Sequence, residues 1–206
     1  MKRGKNVLEQ LKSSPYFTKE MVMQLGSSYE LTPAAVNTLI ARALKQKNIL
    51  SLKRGLYVSA NFYNEHKQDS TYLFYLANVI RKPSYVSSWT ALQYHGLTTD
   101  AIRTVISITP KVTRSYETKV GSFSYSSITE KLFSGFELKK GNFDFFVATP
   151  AKALFDLVYF KTRRFKGVTF KQIPVLVQEL RIDIADVDPK EREAFYSLVK
   201  EYIHHE

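Results

Sequence analysis

Residues 32–59 read TPAAVNTLIARALKQKNILSLKRGLYVS and predict a helix followed by a β-hairpin. Thr32 can accept hydrogen bonds from the free amides of the first helical turn, and Pro33 suits that turn because it has no N–H to satisfy. The chain then becomes β-rich in two segments, 49–52 and 56–59. Gly55 lies between these segments and permits the positive φ of a tight turn, so we expect them to pair as a hairpin.

Two more helices are predicted upstream of this stretch. The first has a short apolar face at helical spacing within 7–11. Thr18 can cap the second helix, and Gly26 is expected to end it. Three helices followed by a hairpin with a basic tip, formed by Lys53 and Arg54, are the element order of a winged helix-turn-helix domain.

The helix that starts at Pro33 has two faces of opposite character. Its inward face is apolar and consists of Val36, Leu39, Ile40, Ala43 and Leu44. Its outward face recurs at the same helical spacing and consists of Ala34, Asn37, Thr38, Ala41, Arg42 and Lys45. This outward face carries small, amide, hydroxyl and cationic groups but no carboxylate. Small residues let a helix enter the major groove, where asparagine can pair with adenine and arginine with guanine.

The charge distribution also favours a nucleic-acid partner. The 206 residues include 30 Lys and Arg against 19 Asp and Glu, a net charge of +11. Residues 1–60 hold 10 of the basic and 3 of the acidic residues, so most of the excess lies there. A chain this basic attracts an acidic partner, most often a nucleic acid. The predicted contacts to double-stranded DNA are Thr32, Asn37, Thr38, Ala41, Arg42 and Lys45 on the helix, and Lys53 and Arg54 at the hairpin tip.

Composition excludes several classes of site. The chain has no Cys, which rules out a disulfide framework, a thiolate nucleophile and any Cys-based zinc or iron–sulfur centre. Its four His include no His-x-x-x-His spacing, so neither a metal nor another cofactor is expected. No stretch predicts a secretory signal or a membrane span. We therefore expect a cytoplasmic protein that does not contact a membrane.

A polar run within 60–69 indicates a boundary between two domains, a DNA-binding domain over 1–62 and a second domain over 67–206. The second domain is expected to be mixed α+β. Helices are predicted over 70–80, 88–95, 151–160, 170–180 and 189–203. Strands are predicted over 85–87, 103–109, 121–126, 128–133 and 143–147.

Five side chains of the second domain are candidates for a site. Lys152 and Asp156 lie four residues apart on one face of an otherwise apolar helix, and Lys152 falls in the first turn, where the helix dipole disfavours a cation. They form either a structural ion pair or a functional site. His95 precedes Gly96 as a donor at a helix C-terminus. The aromatic candidates, which line the core or a groove, are Trp89 and Tyr94.

Three segments of the chain resemble the AbiEi antitoxin family. Residues 85–97, YVSSWTALQYHGL, match its Y-x-S…A-L…H-G-L pattern. Residues 148–157, ATPAKALFDL, are similar to its T-P-E-K-A-L-x-D-L helix, with Ala151 where the family has Glu. The RGLY sequence at 54–57 matches its R-G-x-Y. The three segments occur in the family's order and extend the resemblance over almost the whole chain.

The resemblance implies a function for each domain. Members of this family repress their own promoter, expected to carry inverted repeats, through an N-terminal winged helix. Their C-terminal domain is the antitoxin of a type IV toxin–antitoxin system in phage defence. It counteracts a nucleotidyltransferase-like toxin without a stable complex and is not an enzyme. On this interpretation the five candidates of the second domain are antitoxin residues.

Two alternatives stay open at this point. One is a transcriptional regulator whose second domain binds a ligand or another protein partner. The other is a metal-dependent nuclease that uses Asp100 with Glu117 and Lys119, a loose match to carboxylate–carboxylate–lysine nuclease sites. The E-x-K spacing is common by chance, and Asp100 falls in a predicted turn rather than on a strand.

Overall fold

The structure is a computed structural model that describes residues 2–99 and 103–204. It is mixed α+β, as the sequence predicts. Within these residues the strands form two sheets, one of three strands and one of six. The three-stranded sheet belongs to the first 60 residues, and the six-stranded sheet belongs to the remainder of the chain.

The first 60 residues contain three helices and an antiparallel sheet of order β1-β3-β2. The elements are α1 (Lys2–Gln10), β1 (Phe17–Thr18), α2 (Lys19–Ser28), α3 (Pro33–Lys45), β2 (Ile49–Lys53) and β3 (Leu56–Ser59). Thr32 caps α3 by accepting a hydrogen bond from the amide of Ala35 at 3.2 Å, with Pro33 as the first helical residue. Gly55 has a φ of +78° in the turn between β2 and β3, as its sequence position predicts.

Gly26 does not end α2, contrary to the prediction. The helix continues to Ser28, and Gly26 is buried within it. A Cβ at this position would come within 2.6 Å of Cγ2 of Val36 on α3. The glycine therefore allows two helices to approach closely. In the sequence alone, a glycine with this role looks the same as one that ends a helix.

The second region surrounds a mixed sheet of order β6-β7-β5-β4-β9-β8. The β7–β5 and β4–β9 pairs are parallel, and the other three neighbours are antiparallel. Its helices are α4 (Ala60–His66), α5 (Ser70–Ile80), α6 (Ser88–Tyr94), α7 (Pro150–Lys161), α8 (Ile173–Glu179) and α9 (Pro189–His204). Its strands are β4 (Tyr85–Val86), β5 (Thr104–Thr109), β6 (Arg114–Glu117), β7 (Ser122–Ser127), β8 (Phe136–Lys139) and β9 (Phe145–Ala148).

The polar run at 60–69, where the domain boundary is predicted, contains α4 and the Asp69 cap of α5. Two features further along the chain differ from the prediction. The strand predicted over 128–133 is replaced by a short 3₁₀ turn, Glu130–Leu132. Strands β6 and β8 were not predicted, because both are largely exposed edge strands and lack the apolar alternation that marks a half-buried strand.

The β-hairpin contributes side chains to two hydrophobic cores. Ile49 and Tyr57 join the core of the first region, which also includes Val36 and Ile40 of α3. The other buried apolar residues of the hairpin, Leu52, Leu56 and Val58, join the core of the second region. The two regions also share hydrogen bonds, such as the one that the hydroxyl of Tyr72 donates to the carbonyl of Pro15 at 2.7 Å. The domain boundary near residue 62 stays a prediction, but a cut there would expose apolar side chains of the hairpin.

Candidate functional site

The outward face of α3 is open to solvent along its whole length. The side chains predicted to face outward are all exposed: Ala34, Asn37, Thr38, Ala41, Arg42 and Lys45. On the opposite face Val36, Ile40 and Ala43 are buried. The stripe pattern in the sequence thus corresponds to a real division of the helix into a core face and a solvent face.

Two hydroxyl groups of this surface have local partners. The Thr32 oxygen caps the helix, as described above. The Thr38 hydroxyl donates to the carbonyl of Ala34, one turn earlier, at 3.0 Å. The free donors of this face are therefore concentrated at Asn37, Arg42 and Lys45, whose side chains make no hydrogen bond or ion pair within the described residues.

The hairpin tip differs from the expectation at Lys53. This side chain is half-buried, and its ammonium donates to the carbonyl of Ile80, at the end of α5, at 2.5 Å. Lys53 thus connects the hairpin to the second region instead of projecting from the tip. Arg54, the next residue, is exposed in the turn and keeps the predicted position. The alternation of side chains along β2 gave no signal for this contact, because it depends on where α5 ends.

A cleft of about 930 Å³ lies between the hairpin and strand β6. Its walls are edge strands of the two sheets, β2 on one side and β6 on the other. The cationic groups that line it are Lys53, Arg54, Arg114 and Lys119. The single carboxylate among the lining residues is that of Glu117, which accepts a hydrogen bond from the Ser122 hydroxyl. Leu44 of α3 also lines the cleft, so the basic lining lies next to that helix.

The residues of the nuclease hypothesis are only partly placed. Glu117 and Lys119 lie at the exposed end of β6 and in the following turn. Asp100, the other carboxylate of the predicted pair, lies outside the described residues. Among residues 2–99 and 103–204, no three His, Asp or Glu side chains come together as a group that could hold a metal ion.

Lys152 and Asp156 form a buried ion pair on α7. The ammonium Nζ lies 2.5 Å from Oδ1 of Asp156, and the two side chains are 3% and 0% exposed. The other carboxylate oxygen, Oδ2, accepts hydrogen bonds from the Ser87 hydroxyl at 2.7 Å and the Tyr85 hydroxyl at 3.0 Å. Both hydroxyls come from the Y-x-S segment that joins β4 to α6. Every oxygen of the carboxylate therefore has a donor in an apolar environment.

The surroundings of this pair explain its burial. The aliphatic stem of Lys152 packs against Gly135, where a Cβ would come within 3.0 Å of it, and its ammonium lies 4.8 Å from the centroid of the Phe155 ring. Burial lowers the pKa of Lys152 and raises that of Asp156, and the attraction between the two groups opposes both shifts. Burial, with the nearby carboxylate, also raises the pKa of Tyr85, so its hydroxyl stays protonated as a donor.

The other three candidates of the second region lie on or just after α6. Nε2 of His95 lies 2.8 Å from the carbonyl of Ala148, at the end of β9. Tyr94 is 37% exposed and packs edge-on against Phe145. Trp89 is half-buried against the main core. The structure thus brings the two motif segments, 85–97 and 148–157, into contact at both ends of α6.

Sequence reasoning missed the group that faces the start of α7. A side-chain oxygen of Glu191, on α9, accepts a hydrogen bond from the amide of Ala151 at 2.8 Å. An acidic group near a helix N-terminus is favourable because it satisfies a free amide and complements the helix dipole. Glu191 thus places a carboxylate beside the position where the resemblance expects Glu and the chain has Ala. No local pattern connects residues 40 positions apart.

Comparison with known proteins adds no assignment. A scan of the chain against models of protein families finds no match, and a search of the curated proteins finds none either. In the part of the chain that the structure describes, no helix combines the length and apolar character needed to cross a membrane.

Proposed function

We propose that this chain is a DNA-binding transcriptional regulator, with α3 as its recognition helix in the major groove. The exposed face of α3 is the observation that carries the proposal. It is a continuous stripe of small, amide and cationic groups without a carboxylate, in the most basic part of the chain. On this proposal α1 to α3 and the hairpin form a winged helix-turn-helix, in which Arg54 is the cation of the wing and Asn37 and Arg42 contact bases.

A binding titration with the DNA upstream of the gene tests this proposal. We expect Arg42→Ala to weaken binding by about 1–3 kcal/mol and to relax the preference for the operator over unrelated DNA, because arginine reads guanine through two hydrogen bonds. Lys190→Ala, an exposed position on α9, removes the same charge outside the proposed interface and is the matched control. Equal affinities for the two variants, or equal loss of affinity on operator and unrelated DNA, would contradict the proposed recognition helix.

We further propose that the second region acts as an antitoxin toward a nucleotidyltransferase-like toxin, as the family resemblance implies. The contact between the two motif segments supports this. Asp156 of one segment binds Tyr85 and Ser87 of the other, and Ala148 is bonded to His95. Two of the three segments that carry the resemblance thus form a single structural unit, in which Lys152 and Asp156 stabilise the fold and Tyr94 is exposed to solvent.

On this proposal we expect a gene for such a toxin beside this one, and survival of cells that express that toxin tests the antitoxin proposal. Arg42→Ala is expected to preserve rescue, because it alters only the DNA contact. Lys152→Met keeps most of the side-chain length and is expected to lower rescue only as far as it lowers the melting temperature. A failure of the unaltered chain to rescue would reject the antitoxin proposal and leave the DNA-binding proposal intact.

A further inference from the structure

Strand β8 is the outer strand of the six-stranded sheet. It pairs with β9 on one side, and no strand within the described residues pairs with its other side. Glu137 and Leu138, in the middle of the strand, are exposed. Proteins usually protect such an edge, because its free N–H and C=O groups are a template for another strand.

The exposed edge carries an apolar pair. Leu138 is the register partner of Phe146 on β9, and the two residues are 42% and 41% exposed. Phe136 extends the pair, since its ring meets that of Phe146 edge-on at 5.7 Å. Apolar side chains next to each other at an unpaired edge favour the addition of a further strand that would cover them.

The opposite face of the strand carries two charges of opposite sign. Nζ of Lys139 and Oε1 of Glu137 are 2.6 Å apart, and both side chains are exposed. Because these residues flank Leu138 symmetrically, an antiparallel copy of the strand centred on Leu138 places each Glu137 directly opposite a Lys139 of the other copy. The edge is therefore complementary in charge to itself.

We propose that β8 pairs antiparallel with β8 of a second copy of this chain, about a two-fold axis at Leu138. In an antiparallel pair, directly opposite side chains lie on the same face of the sheet. A two-fold axis perpendicular to the sheet must therefore lie midway between two copies of the same residue. Centring the pair on residue 137 would oppose two glutamates, and centring it on residue 139 would oppose two lysines. Of these three registers, only the one centred on Leu138 avoids repulsion at the middle of the strand.

The strand is short, which limits the strength of the association. Four residues a side bury far less than the roughly 1,200 Å² of a stable standard-size interface. The dimer is therefore weak and reversible in solution, and covalent capture is the appropriate measurement. The chain has no Cys, so a single introduced thiol reports one position without interference.

The experiment captures the dimer of the full chain through Leu138→Cys. Directly opposite residues of an antiparallel pair have Cβ atoms about 5 Å apart, so mild oxidation, or a short bis-maleimide, should give a species of twice the 23.7 kDa chain mass. Phe146→Cys is the matched control, because its exposure is similar but its partner copy lies three strand spacings away, about 14 Å. Val175→Cys, on α8, is a second exposed control.

Charge reversal then tests the register. In the Leu138→Cys background, Glu137→Lys or Lys139→Glu alone should abolish the cross-linked band, because each places like charges opposite one another. The two reversals together should restore it. Circular dichroism melts establish that each variant is folded. Three results would overturn the proposal. They are no cross-linking of Leu138→Cys, cross-linking of Phe146→Cys to the same extent as Leu138→Cys, and cross-linking that the charge reversals do not change.

Discussion

Helices α3 and α7 begin with the same pair of residues and lie in opposite surroundings. Thr32 and Thr149 each cap their helix through the hydroxyl oxygen, and each is followed by proline. The cations of α3, Arg42 and Lys45, are exposed, whereas Lys152 of α7 is buried. The start of a helix is thus determined locally, but whether its charged residues are buried or exposed depends on what packs around the helix.

Composition already separates the two helices. On α3 the apolar residues occupy one stripe, which leaves the rest of the surface polar. On α7 apolar residues occur on every side, and residues 151–159 are all buried. A helix that is apolar on all sides belongs in a core, so a charge within it must be paired. The same reasoning makes the exposed charges of α3 available to an external partner.

The largest effect is expected from breaking the buried pair of α7. Asp156→Ala leaves the Lys152 ammonium buried without a counter-charge and removes the acceptor of two hydroxyls, so the free energy of unfolding should fall by about 3–5 kcal/mol. Urea unfolding followed by the fluorescence of Trp89, the single tryptophan, measures the change. The double variant Lys152→Met/Asp156→Leu should recover part of the loss, because it replaces both charges with apolar groups of similar size but still leaves the Tyr85 and Ser87 hydroxyls without their acceptor.

The control for this prediction is an exposed ion pair in the same chain. Glu137→Ala removes the carboxylate partner of Lys139 at a solvated position, where the cost should stay below about 1 kcal/mol. A loss for Asp156→Ala no larger than that of Glu137→Ala would show that the buried pair contributes little, and the contrast between α3 and α7 would fail.

The next effect concerns the close contact beneath the face of α3. Gly26→Ala should destabilise the first region by about 1–3 kcal/mol, because the new methyl group meets Val36 on α3. If Gly26 were an ordinary helical position without this contact, alanine would instead be stabilising, because it has the higher helix propensity. The double variant with Val36→Ala provides the missing space and should reduce the cost. Thermal melts of the three variants distinguish these outcomes.

Much of the first region follows from its sequence, and less of the second does. The cap at Thr32, the two faces of α3 and the turn at Gly55 depend on neighbours within a few residues, and all three were predictable. The contact of Lys53 with Ile80 and that of Ala151 with Glu191 join residues 27 and 40 positions apart. Such contacts depend on the sheet order β6-β7-β5-β4-β9-β8, which local patterns do not encode.

The candidate site of the second region shows the same limit. The spacing of Lys152 and Asp156 predicted their pairing, since residues four apart share a helix face. Their hydroxyl partners, Tyr85 and Ser87, were visible only as part of a motif. Their role as donors to Asp156 depends on strand β4 lying beside α7, about 70 residues away in sequence.

A smaller loss of stability, equal at the two positions, is expected when the threonine caps of α3 and α7 are removed. Thr32→Ala and Thr149→Ala each remove a hydroxyl that accepts from a free amide, at 3.2 and 3.3 Å, and each should cost about 1 kcal/mol. Chemical denaturation measures both. Similar losses would support the view that the start of each helix is a local feature. A loss at Thr149 several times larger would mean that its buried surroundings determine the cap as well.

The smallest effect separates two lysines near the proposed DNA surface. Lys45 is exposed at the end of α3, whereas the ammonium of Lys53 is held by the carbonyl of Ile80. The plot of log affinity against log salt concentration has a negative slope, and each phosphate contact that is lost reduces the magnitude of this slope by about 0.9. If Lys45 binds a phosphate, Lys45→Ala should lower the slope by that amount on any DNA sequence. Lys53→Ala should leave the slope unchanged and lower the melting temperature instead. A reduced slope for Lys53→Ala would mean that its ammonium leaves Ile80 to bind DNA, and that the hairpin tip acts as the sequence first indicated.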